Sequence, residues 1–301
     1  MERLITLGTR GSPLALAQAR SVAAALESAH GWAAGTVVIR PIRTSGDKIQ
    51  DRPLAEVGGK ALWTKELDLA LLGGESDLSV HSMKDVESER PAALAIAAMI
   101  ERADVRDRII GARSIEAVPE GGTVGTSSPR RAAQLLSLRP DLHIEPIRGN
   151  VQTRLDKIAR GEADATMLAA AGLDRLGIEE GAPVPIEVML PAPGQAAIGI
   201  ECRADDDELR ALLAAIDHRT TRRAVEIERA FSRALGGNCH SPVAALAEIL
   251  PDGVRLRVEI LSGDGTERIA EERIVADEAE AAALGRELLG RASAAVRALF
   301  E

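Results

Sequence analysis

Aromatic residues are almost absent from this chain of 301 residues, which has two tryptophans, two phenylalanines and no tyrosine. Its cores must therefore be built from aliphatic side chains. Few aromatic rings leave little on which unpaired bases could stack. The net charge of −9 is also opposite in sign to the basic surface typical of nucleic-acid binders. We therefore expect no nucleic-acid partner, although a net charge does not exclude a local basic cleft.

Cysteine is equally scarce. Cys202 and Cys239 give no disulfide framework and no CxxC spacing for zinc, and the histidines show no metal-ligand spacing, so no metal site is predicted. The longest apolar run, residues 92–100, is too short to span a bilayer. The first residues, MERLITLGTRG, lack the apolar segment of a signal peptide. We expect a cytoplasmic protein with no membrane partner, and a monomer, because no interface patch is evident.

Two short motifs occur twice in the same order. GTRGSP at 8–13 is echoed by GTSSP at 125–129, and GESDLSV at 74–80 is echoed by GEADATM at 161–167. Each serine–proline pair follows a strand candidate and suits a helix start, with serine as N-cap and proline at the first helical position. The repeat predicts two related α/β lobes. The first copy is longer, and we assign its insertion to residues 44–63, a mobile loop at the ligand cleft.

After residue 218 the pattern changes. A helix over 219–234 and a loop lead to three strand candidates, of which the second alternates apolar and charged residues. A final amphipathic helix from about Asp277 is predicted to carry one apolar stripe of Leu284, Leu288, Ala292 and Val296. The predicted strands run from Val243 to Leu250, from Val254 to Leu261 and from Thr266 to Val275. The predicted division is a first lobe of residues 1–100 and 197–217, a second lobe of 101–196 and a third domain of 218–301.

The stretch DLSVHSMKD at 77–85 places Lys84 and Asp85 at the end of a predicted buried strand. In an α/β protein the carboxyl ends of strands are where ligands bind. A carboxylate hemmed in by apolar residues and a lysine is a candidate proton donor or cation stabiliser. The alternative is that Asp85 only caps the next segment. His81 is predicted to be an ordinary, hydrogen-bonded strand residue.

Arginines follow several predicted strands. Arg130 and Arg131 lie at a helix start, where a cation opposes the helix dipole, so a structural role explains them poorly. We expect them to hold ligand carboxylates, and their replacement to cost little fold stability. Taken singly each arginine is more often a surface residue, but several around one cleft fit a polyanionic ligand held by forked hydrogen bonds. The other members of this set are Arg10, Arg148, Arg154 and Arg175.

Cys239 lies in the loop LGGNCHSP, a setting that suits a reactive or modified thiol. The alternative is that Cys239 is a small loop residue with no functional role. Cys202, in the run AIGIECR, is predicted to be an ordinary buried strand residue. The sequence VGGK at 57–60 lacks the spacing of a phosphate-binding loop.

Together these motifs resemble the porphobilinogen deaminase (hydroxymethylbilane synthase) family. The resemblance covers nearly the whole chain and is carried by TRGSPLALAQA, VGGKALWTKEL, DLSVHSMKD, GTSSPRRAAQL, RGNVQTRL, LAAAGLDRLG, PGQAAIGIECR and the cysteine loop. It implies an α/β fold with two lobes like those of periplasmic binding proteins, and a small α+β third domain with a three-stranded antiparallel sheet. It also implies a transferase that joins four porphobilinogen molecules head to tail with release of ammonia, and then hydrolyses the product to hydroxymethylbilane.

The resemblance further implies a dipyrromethane cofactor held by a thioether to Cys239, and Asp85 as the catalytic residue. The cofactor-binding residues that it implies are Lys84, Ser128, Arg130, Arg131, Asp47, Ser82 and Thr126. The substrate-binding residues that it implies are Arg10, Ser12, Gln18, Arg148, Arg154 and Arg175. The chemistry agrees with this set, because each porphobilinogen brings two carboxylates that arginines can neutralise. Loss of ammonia leaves a cation that a carboxylate can stabilise.

The sequence departs from the family pattern at a few positions. Glu56 stands where some relatives have lysine, Trp63 replaces a phenylalanine, and Ala196 replaces a common glycine. None of these changes removes a group that the mechanism needs. Two alternatives lie outside this family: a two-lobed binding protein for an anionic small molecule, and a DNA-binding regulator. The first has no use for Asp85 or a loop thiol, and the second needs a helix-turn-helix segment that is not found.

Overall fold

The computed structural model describes residues 4–44, 61–236 and 241–300. The chain divides into two compact units. Unit 1 consists of Met1–Ala103 with Ala196–Arg223, and unit 2 consists of Asp104–Gln195 with Ala224–Glu301. Unit 2 therefore contains nearly all of the predicted second lobe and most of the predicted third domain, and the division into three domains stays a prediction.

Unit 1 is built on a five-stranded mixed sheet. Its strands are β1 (Ile5–Arg10), β2 (Val37–Ile42), β3 (Leu78–Ser82), β4 (Leu94–Met99) and β10 (Ile198–Arg203). They lie in the order β2-β1-β3-β10-β4. Strand β1 pairs in parallel with β2 and β3, whereas β10 is antiparallel to β3 and β4. The helices of this unit are α1 (Pro13–His30), α2 (Ala61–Leu72) and α6 (Asp207–Leu213).

Unit 2 repeats this arrangement. Its five-stranded sheet contains β5 (Asp107–Ile110), β6 (Thr123–Gly125), β7 (His143–Glu145), β8 (Ala165–Ala169) and β9 (Ala182–Pro183). They lie in the order β7-β6-β8-β5-β9. Strand β6 pairs in parallel with β7 and β8, and β5 is antiparallel to β8 and β9. The accompanying helices are α3 (Pro129–Leu138), α4 (Val151–Ala159) and α5 (Ala170–Arg175).

The two sheets confirm the predicted pair of α/β lobes. In each sheet one strand, β1 or β6, lies between two parallel neighbours, and one of those neighbours, β3 or β8, pairs on its other side with an antiparallel strand, β10 or β5. The two helix starts were predicted correctly as well. The Ser12 hydroxyl accepts a hydrogen bond from the backbone N–H of Ala15 at 3.3 Å, and that of Ser128 accepts one from Arg131 at 3.5 Å. Helices α1 and α3 therefore begin at Pro13 and Pro129, because serine satisfies an N–H that the first turn leaves free.

A second, smaller sheet completes unit 2 and confirms the predicted three-stranded antiparallel sheet. Its strands are β11 (Val243–Leu250), β12 (Gly253–Leu261) and β13 (Arg268–Val275). The helices beside it are α7 (Arg219–Ala234), which begins at the end of unit 1, α8 (Glu278–Arg291) and α9 (Ala294–Arg297).

The single C-terminal helix of the prediction is wrong, because the helix breaks after Arg291. Ala292 is extended, with φ −72° and ψ 153°. Ser293 then caps α9 by accepting a hydrogen bond from Val296 N at 3.2 Å. The apolar stripe is nevertheless buried on both sides of the break, from Leu284 to Val296.

The cores are aliphatic, as the composition predicts. Unit 1 buries Leu7, Leu26 and Leu78 without exposure, together with Cys202. Phe231 and Phe300 are the largest side chains in the core that the three-stranded sheet shares with α7 and α8. Within the described ranges, no helix is both long and apolar enough to cross a membrane.

Candidate functional site

The stretch that carries Asp85 ends differently from the prediction. Strand β3 stops at Ser82, and Met83–Asp85 form a 3₁₀ turn rather than the end of the strand. The backbone explains this: Met83 N donates to Ala197 O at 3.0 Å, and Val86 N donates to Met83 O at 3.3 Å, which closes the turn. Met83 is buried, whereas Lys84 and Asp85 are partly exposed. The turn therefore presents both charged side chains beyond the carboxyl end of the strand.

The structure brings the predicted residues of unit 1 to one edge of its sheet. Strands β1 and β3 are parallel, so their carboxyl ends lie on the same side. Gln18 on α1 donates a hydrogen bond from Nε2 to the hydroxyl of Ser82 at 2.9 Å. Arg10 ends β1 and Ser12 caps α1 beside it. This edge thus holds a carboxylate, cations and hydroxyl groups. Together they can bind an anionic ligand and protonate its amine.

A buried charge network that the prediction missed lies behind this edge. The Nε2 of His81 lies 3.0 Å from Glu201, and Arg90 donates from Nε to Glu201 at 2.8 Å. Glu201 is fully buried on β10. Burial by itself would raise the pKa of Glu201, but the hydrogen bonds and charges of His81 and Arg90 lower it to about 2. A glutamate within the apolar run AIGIEC was the sequence signal that could have revealed this network. His81 is confirmed as a hydrogen-bonded strand residue.

In unit 2 the predicted arginine pair surrounds a carboxylate of the protein itself. Asp107 receives hydrogen bonds from Arg130 Nη2 at 2.8 Å and from Arg131 Nη2 at 2.7 Å. All three residues are at most 5% exposed. Burial alone would raise the pKa of Asp107, but the two guanidinium groups lower it well below its usual range. The expectation that these arginines could be replaced at little cost in stability is therefore wrong, because Asp107 would be left buried without its counter-charges.

Gln134 extends this network toward the small sheet. Its side-chain oxygen accepts from Arg130 Nη1 at 2.9 Å, and its Nε2 donates to Glu259 on β12 at 2.8 Å. Glu259 is buried and is also paired with Arg268 on β13. The arginine helix α3 and the small sheet are thus joined through buried polar groups within unit 2.

The other predicted residues of unit 2 follow its parallel strands. Thr126 and Ser128 follow β6, where the Thr126 hydroxyl accepts from Ser128 N at 3.2 Å. Arg148 follows β7, and its buried Nη1 has no acceptor among the described residues. Burial lowers the pKa of Arg175, at the end of α5, against the opposing charge of Asp174. A guanidinium in such a setting is stabilised by an added carboxylate.

One further predicted residue is held locally. Arg154 on α4 donates from Nε to Gly149 O at 3.1 Å. This bond fixes the base of its guanidinium beside the N-terminus of the helix.

Two predicted cofactor residues, Asp47 and Cys239, lie outside the described residues, as do Glu56, residues 45–60 of the predicted loop and the side chain of Trp63. Residues 61–63 form the first part of α2. Cys202 is confirmed as a buried strand residue, and burial raises the pKa of its thiol to about 11. Such a thiol is unreactive near neutral pH. Across the described ranges, no group of three or more His, Cys, Asp or Glu side chains could hold a metal ion.

Two protein-family models match this chain. Residues 5–211 match the model described as porphobilinogen deaminase, dipyromethane cofactor binding domain. Residues 222–293 match porphobilinogen deaminase, C-terminal domain. The chain is 57% identical over 303 residues to porphobilinogen deaminase of Sphingopyxis alaskensis, covering 98% of this chain and 96% of that protein. It is 50% identical over 299 residues to porphobilinogen deaminase of Paracoccus denitrificans, covering 96% and 95%.

Solved structures give weaker likenesses. An ancestral cationic amino acid solute binding protein has a TM-score of 0.44 at 16% identity, over 70% of this chain and 87% of its own. The periplasmic VFT2 domain of Bordetella pertussis BvgS has a TM-score of 0.40 at 16% identity, over 70% and 86%. Both likenesses are too weak to support a conclusion about this chain.

Proposed function

Since the chain belongs to the porphobilinogen deaminase family, we propose that Asp85 is its catalytic acid and cation stabiliser. The enzyme is a hydroxymethylbilane synthase that joins four porphobilinogen molecules head to tail and releases one ammonia for each unit added. The observation that carries the proposal is the placement of Asp85. It lies on a closed turn at the carboxyl end of β3, partly exposed and next to Lys84.

Each addition needs one group that first donates a proton and then stabilises a positive charge. The amine of porphobilinogen leaves as ammonia only when it is protonated, and Asp85 in its acid form can supply that proton. The departure leaves a cationic azafulvene, and the aspartate that has just lost its proton is then the counter-charge that the cation needs. The same carboxylate can accept hydrogen bonds from pyrrole N–H groups. Arg10, Ser12 and Gln18 at this edge are proposed to bind the substrate carboxylates.

The cofactor of the family is dipyrromethane, which supplies the pyrrole carbon to which the first substrate is joined. We propose that a thioether attaches it to Cys239. Its carboxylates would be held by Arg130, Arg131, Thr126 and Ser128, with Lys84, Ser82 and Asp47 as further contacts. An observation in unit 2 supports the fit: the buried Nε–H of Arg130 has no acceptor among the described residues, although its other nitrogens are bonded.

The remaining arginines are proposed to hold the growing chain. Each added unit brings two carboxylates, so the need for counter-charge rises as the product grows. Arg148 and Arg175 are partly buried cations after β7 and β8, and Arg154 lies one turn into α4. Forked hydrogen bonds from arginine match carboxylates better than a lysine ammonium does.

The cellular setting is also part of the proposal. We propose a cytoplasmic monomer with no nucleic-acid partner, divided into lobes of 1–100 with 197–217 and 101–196 and a third domain of 218–301. Sedimentation of the purified protein tests the oligomeric state, and limited proteolysis with mapping of the fragments tests the boundaries.

The role of Asp85 is tested by Asp85→Asn, with Glu89→Gln as the matched control at an exposed carboxylate of the same segment. We expect Asp85→Asn to keep the mass of the cofactor and to lose about 10² to 10⁴ in turnover. Intact mass spectrometry during stepwise addition of porphobilinogen should show at which unit the variant stalls. Near-wild-type turnover by Asp85→Asn, or an equal loss in Glu89→Gln, would remove Asp85 from the mechanism.

A further inference from the structure

The Asp85 turn is part of a loop, residues 81–90, that starts with the last two residues of β3. At its far end the loop is paired with α2 through Arg90 and Asp68. Its first residue, His81, lies beside the buried carboxylate of Glu201, with His81 Nε2 at 3.0 Å from Oε2. Its last residue, Arg90, donates to both oxygens of the same carboxylate, from Nε at 2.8 Å and from Nη2 at 2.9 Å. One carboxylate on β10 therefore joins the two ends of the loop that carries Asp85.

Arg90 makes two further ion pairs that anchor the returning side of the loop. Its Nη1 donates to Glu87 at 2.9 Å, and its Nη2 donates to Asp68 on α2 at 2.5 Å. Glu87 also accepts a hydrogen bond from the buried hydroxyl of Thr64 on α2, at 3.1 Å. The segment that follows Asp85 is thus tied to helix α2 as well as to strand β10.

The side chains of the network are buried, so each charged group depends on well-placed hydrogen-bond partners. The side chains of His81, Glu201 and Arg90 are 4%, 0% and 9% exposed. Burial alone would lower the pKa of Arg90, but Glu201 and Asp68 raise it, so the guanidinium stays charged. Burial raises the pKa of Asp68 even though Arg90 opposes the shift. Because charges removed from water are stabilised only by well-placed partners, the loop ends are held in one arrangement.

The opposite face of β3 is held as well. Ser82 accepts a hydrogen bond from Gln18 at 2.9 Å. On the face that carries His81, Met83 packs against Gly199, the cross-strand partner of His81, so closely that a Cβ on that glycine would lie 2.2 Å from the methionine sulfur. These contacts hold the turn on both faces of the sheet. Among the residues that make them, Arg90 follows Asp85 in the chain.

We propose that Arg90 is a positioning residue for the reaction, which acts through Glu201 and His81 to fix the turn that presents Asp85. The inference rests on the proposed function of Asp85. A positioning role differs from a purely structural one because it predicts a loss of turnover in a folded, cofactor-loaded enzyme. A displacement of about 1 Å at a catalytic group can cost on the order of 10²-fold in rate.

The test is Arg90→Lys, which keeps the charge but cannot form the fork on Glu201. The matched control is Arg203→Lys. Arg203 is a partly buried arginine at the opposite end of β10, paired with Asp206 at 3.0 Å and bonded to Leu71 O at 3.0 Å. Both variants are assayed as loaded enzyme well below their unfolding temperatures. For Arg90→Lys we expect kcat to fall roughly tenfold to a hundredfold with little change in KM, and Arg203→Lys to keep the wild-type kcat.

A second readout follows the loop itself. Hydrogen–deuterium exchange should become faster in peptides that cover residues 83–90 of Arg90→Lys, because the bond from Val86 N to Met83 O opens more often. The same peptides should exchange at the wild-type rate in Arg203→Lys. If Arg90→Lys does not fold, Glu201→Gln takes its place, since glutamine keeps the size of the side chain and one acceptor oxygen. The same losses are expected from it.

The outcomes separate this inference from the proposed function. If Asp85→Asn is slow but Arg90→Lys and Glu201→Gln keep the wild-type kcat, the inference is overturned and the role of Asp85 stands. If Asp85→Asn itself is fully active, the proposed function fails. An equal loss of kcat in Arg203→Lys would show general destabilisation and would also overturn the inference.

Discussion

Asp107 receives hydrogen bonds from Arg131 at both of its carboxylate oxygens, from Nη2 at 2.7 Å and from Nε at 3.2 Å. Arg130 donates to the same carboxylate, and Gln195 Nε2 adds a bond at 2.9 Å. The arginines proposed to bind the cofactor are thus held in place by a buried anion of the fold. Their side chains arrive at the site already oriented, so a ligand does not have to order them.

Asp107→Asn is therefore expected to destabilise the protein strongly. Removing one partner of a buried ion pair typically costs about 3–5 kcal/mol, because the remaining charges are left unpaired in the interior. Denaturant unfolding measures the loss. Asp141→Asn is the control, since Asp141 pairs with Arg139 at the surface and should cost far less. Equal, small effects of the two substitutions would contradict the buried-pair account.

Arg131→Leu should combine two defects. We expect a lower free energy of unfolding, because Asp107 loses its forked partner, and poorer cofactor loading, measured by intact mass. Arg131→Lys restores the charge but not the fork, so it should recover stability only in part. A variant that is as stable as the wild type and fully loaded would show that the guanidinium serves neither purpose.

Cys239 and Cys202 should behave as opposites. Purified wild-type protein should be heavier than its sequence by one dipyrrole unit, and peptide mapping should place that mass on the Cys239 peptide. Cys239→Ala should lack the adduct, be inactive and unfold more easily, because a ligand bound only by the native state adds stability. Cys202→Ala, the matched control, should stay loaded and active at a cost of about 1 kcal/mol for a smaller core side chain. An adduct on Cys202 would overturn the assignment.

Acid should weaken unit 1 through Glu201. The pKa of Glu201 is lowered in the folded state from the usual 4.5 to about 2. Its ionised form therefore adds stability that is fully present above about pH 4.5 and is lost as the pH falls toward 2, at most about 3 kcal/mol. We expect the difference in unfolding free energy between the wild type and Glu201→Gln to shrink across that window. A difference that stays constant from pH 6 to pH 3 would show that Glu201 is not an ionised partner of Arg90 and His81.

Ala196→Gly should stabilise the protein. Among the described non-glycine residues, only Ala196 has a positive φ, at 69°. A left-handed conformation costs an alanine roughly 1–2 kcal/mol, and glycine adopts it freely. The reciprocal control is Gly74→Ala, where φ is 70° and a Cβ would meet no atom within 4 Å. The thermal unfolding temperature should rise for Ala196→Gly and fall for Gly74→Ala. Movement in the same direction would show that backbone strain is not what separates them.

Sequence reasoning predicted the local structure well where neighbours along the chain decide it. The motifs around Ser12 and Ser128 predict helix starts because a cap acts on N–H groups only a few residues away. Motif resemblance also singled out Asp85 and Gln18, and Gln18 does bond Ser82 at the same sheet edge. The prediction was wrong for the end of β3 and for the helix break at Ala292. In both places a local pattern was extended past a turn that backbone hydrogen bonds create.

The sequence by itself determined the α/β class, the repeated lobes, the aliphatic cores and the family, because periodicity, caps and motifs are written in consecutive residues. Only the tertiary structure decided which charges meet. Asp107 and Arg131 are 24 residues apart, and His81 and Glu201 are 120 apart. His81 and Glu201 meet because β10 lies antiparallel to β3. Asp107 on β5 meets Arg131 because helix α3 packs on the same sheet, where Arg131 also donates to Met167 O on β8. A buried charged residue meets its partner only when elements distant in sequence pack together. No local sequence pattern therefore predicts which residue that partner is.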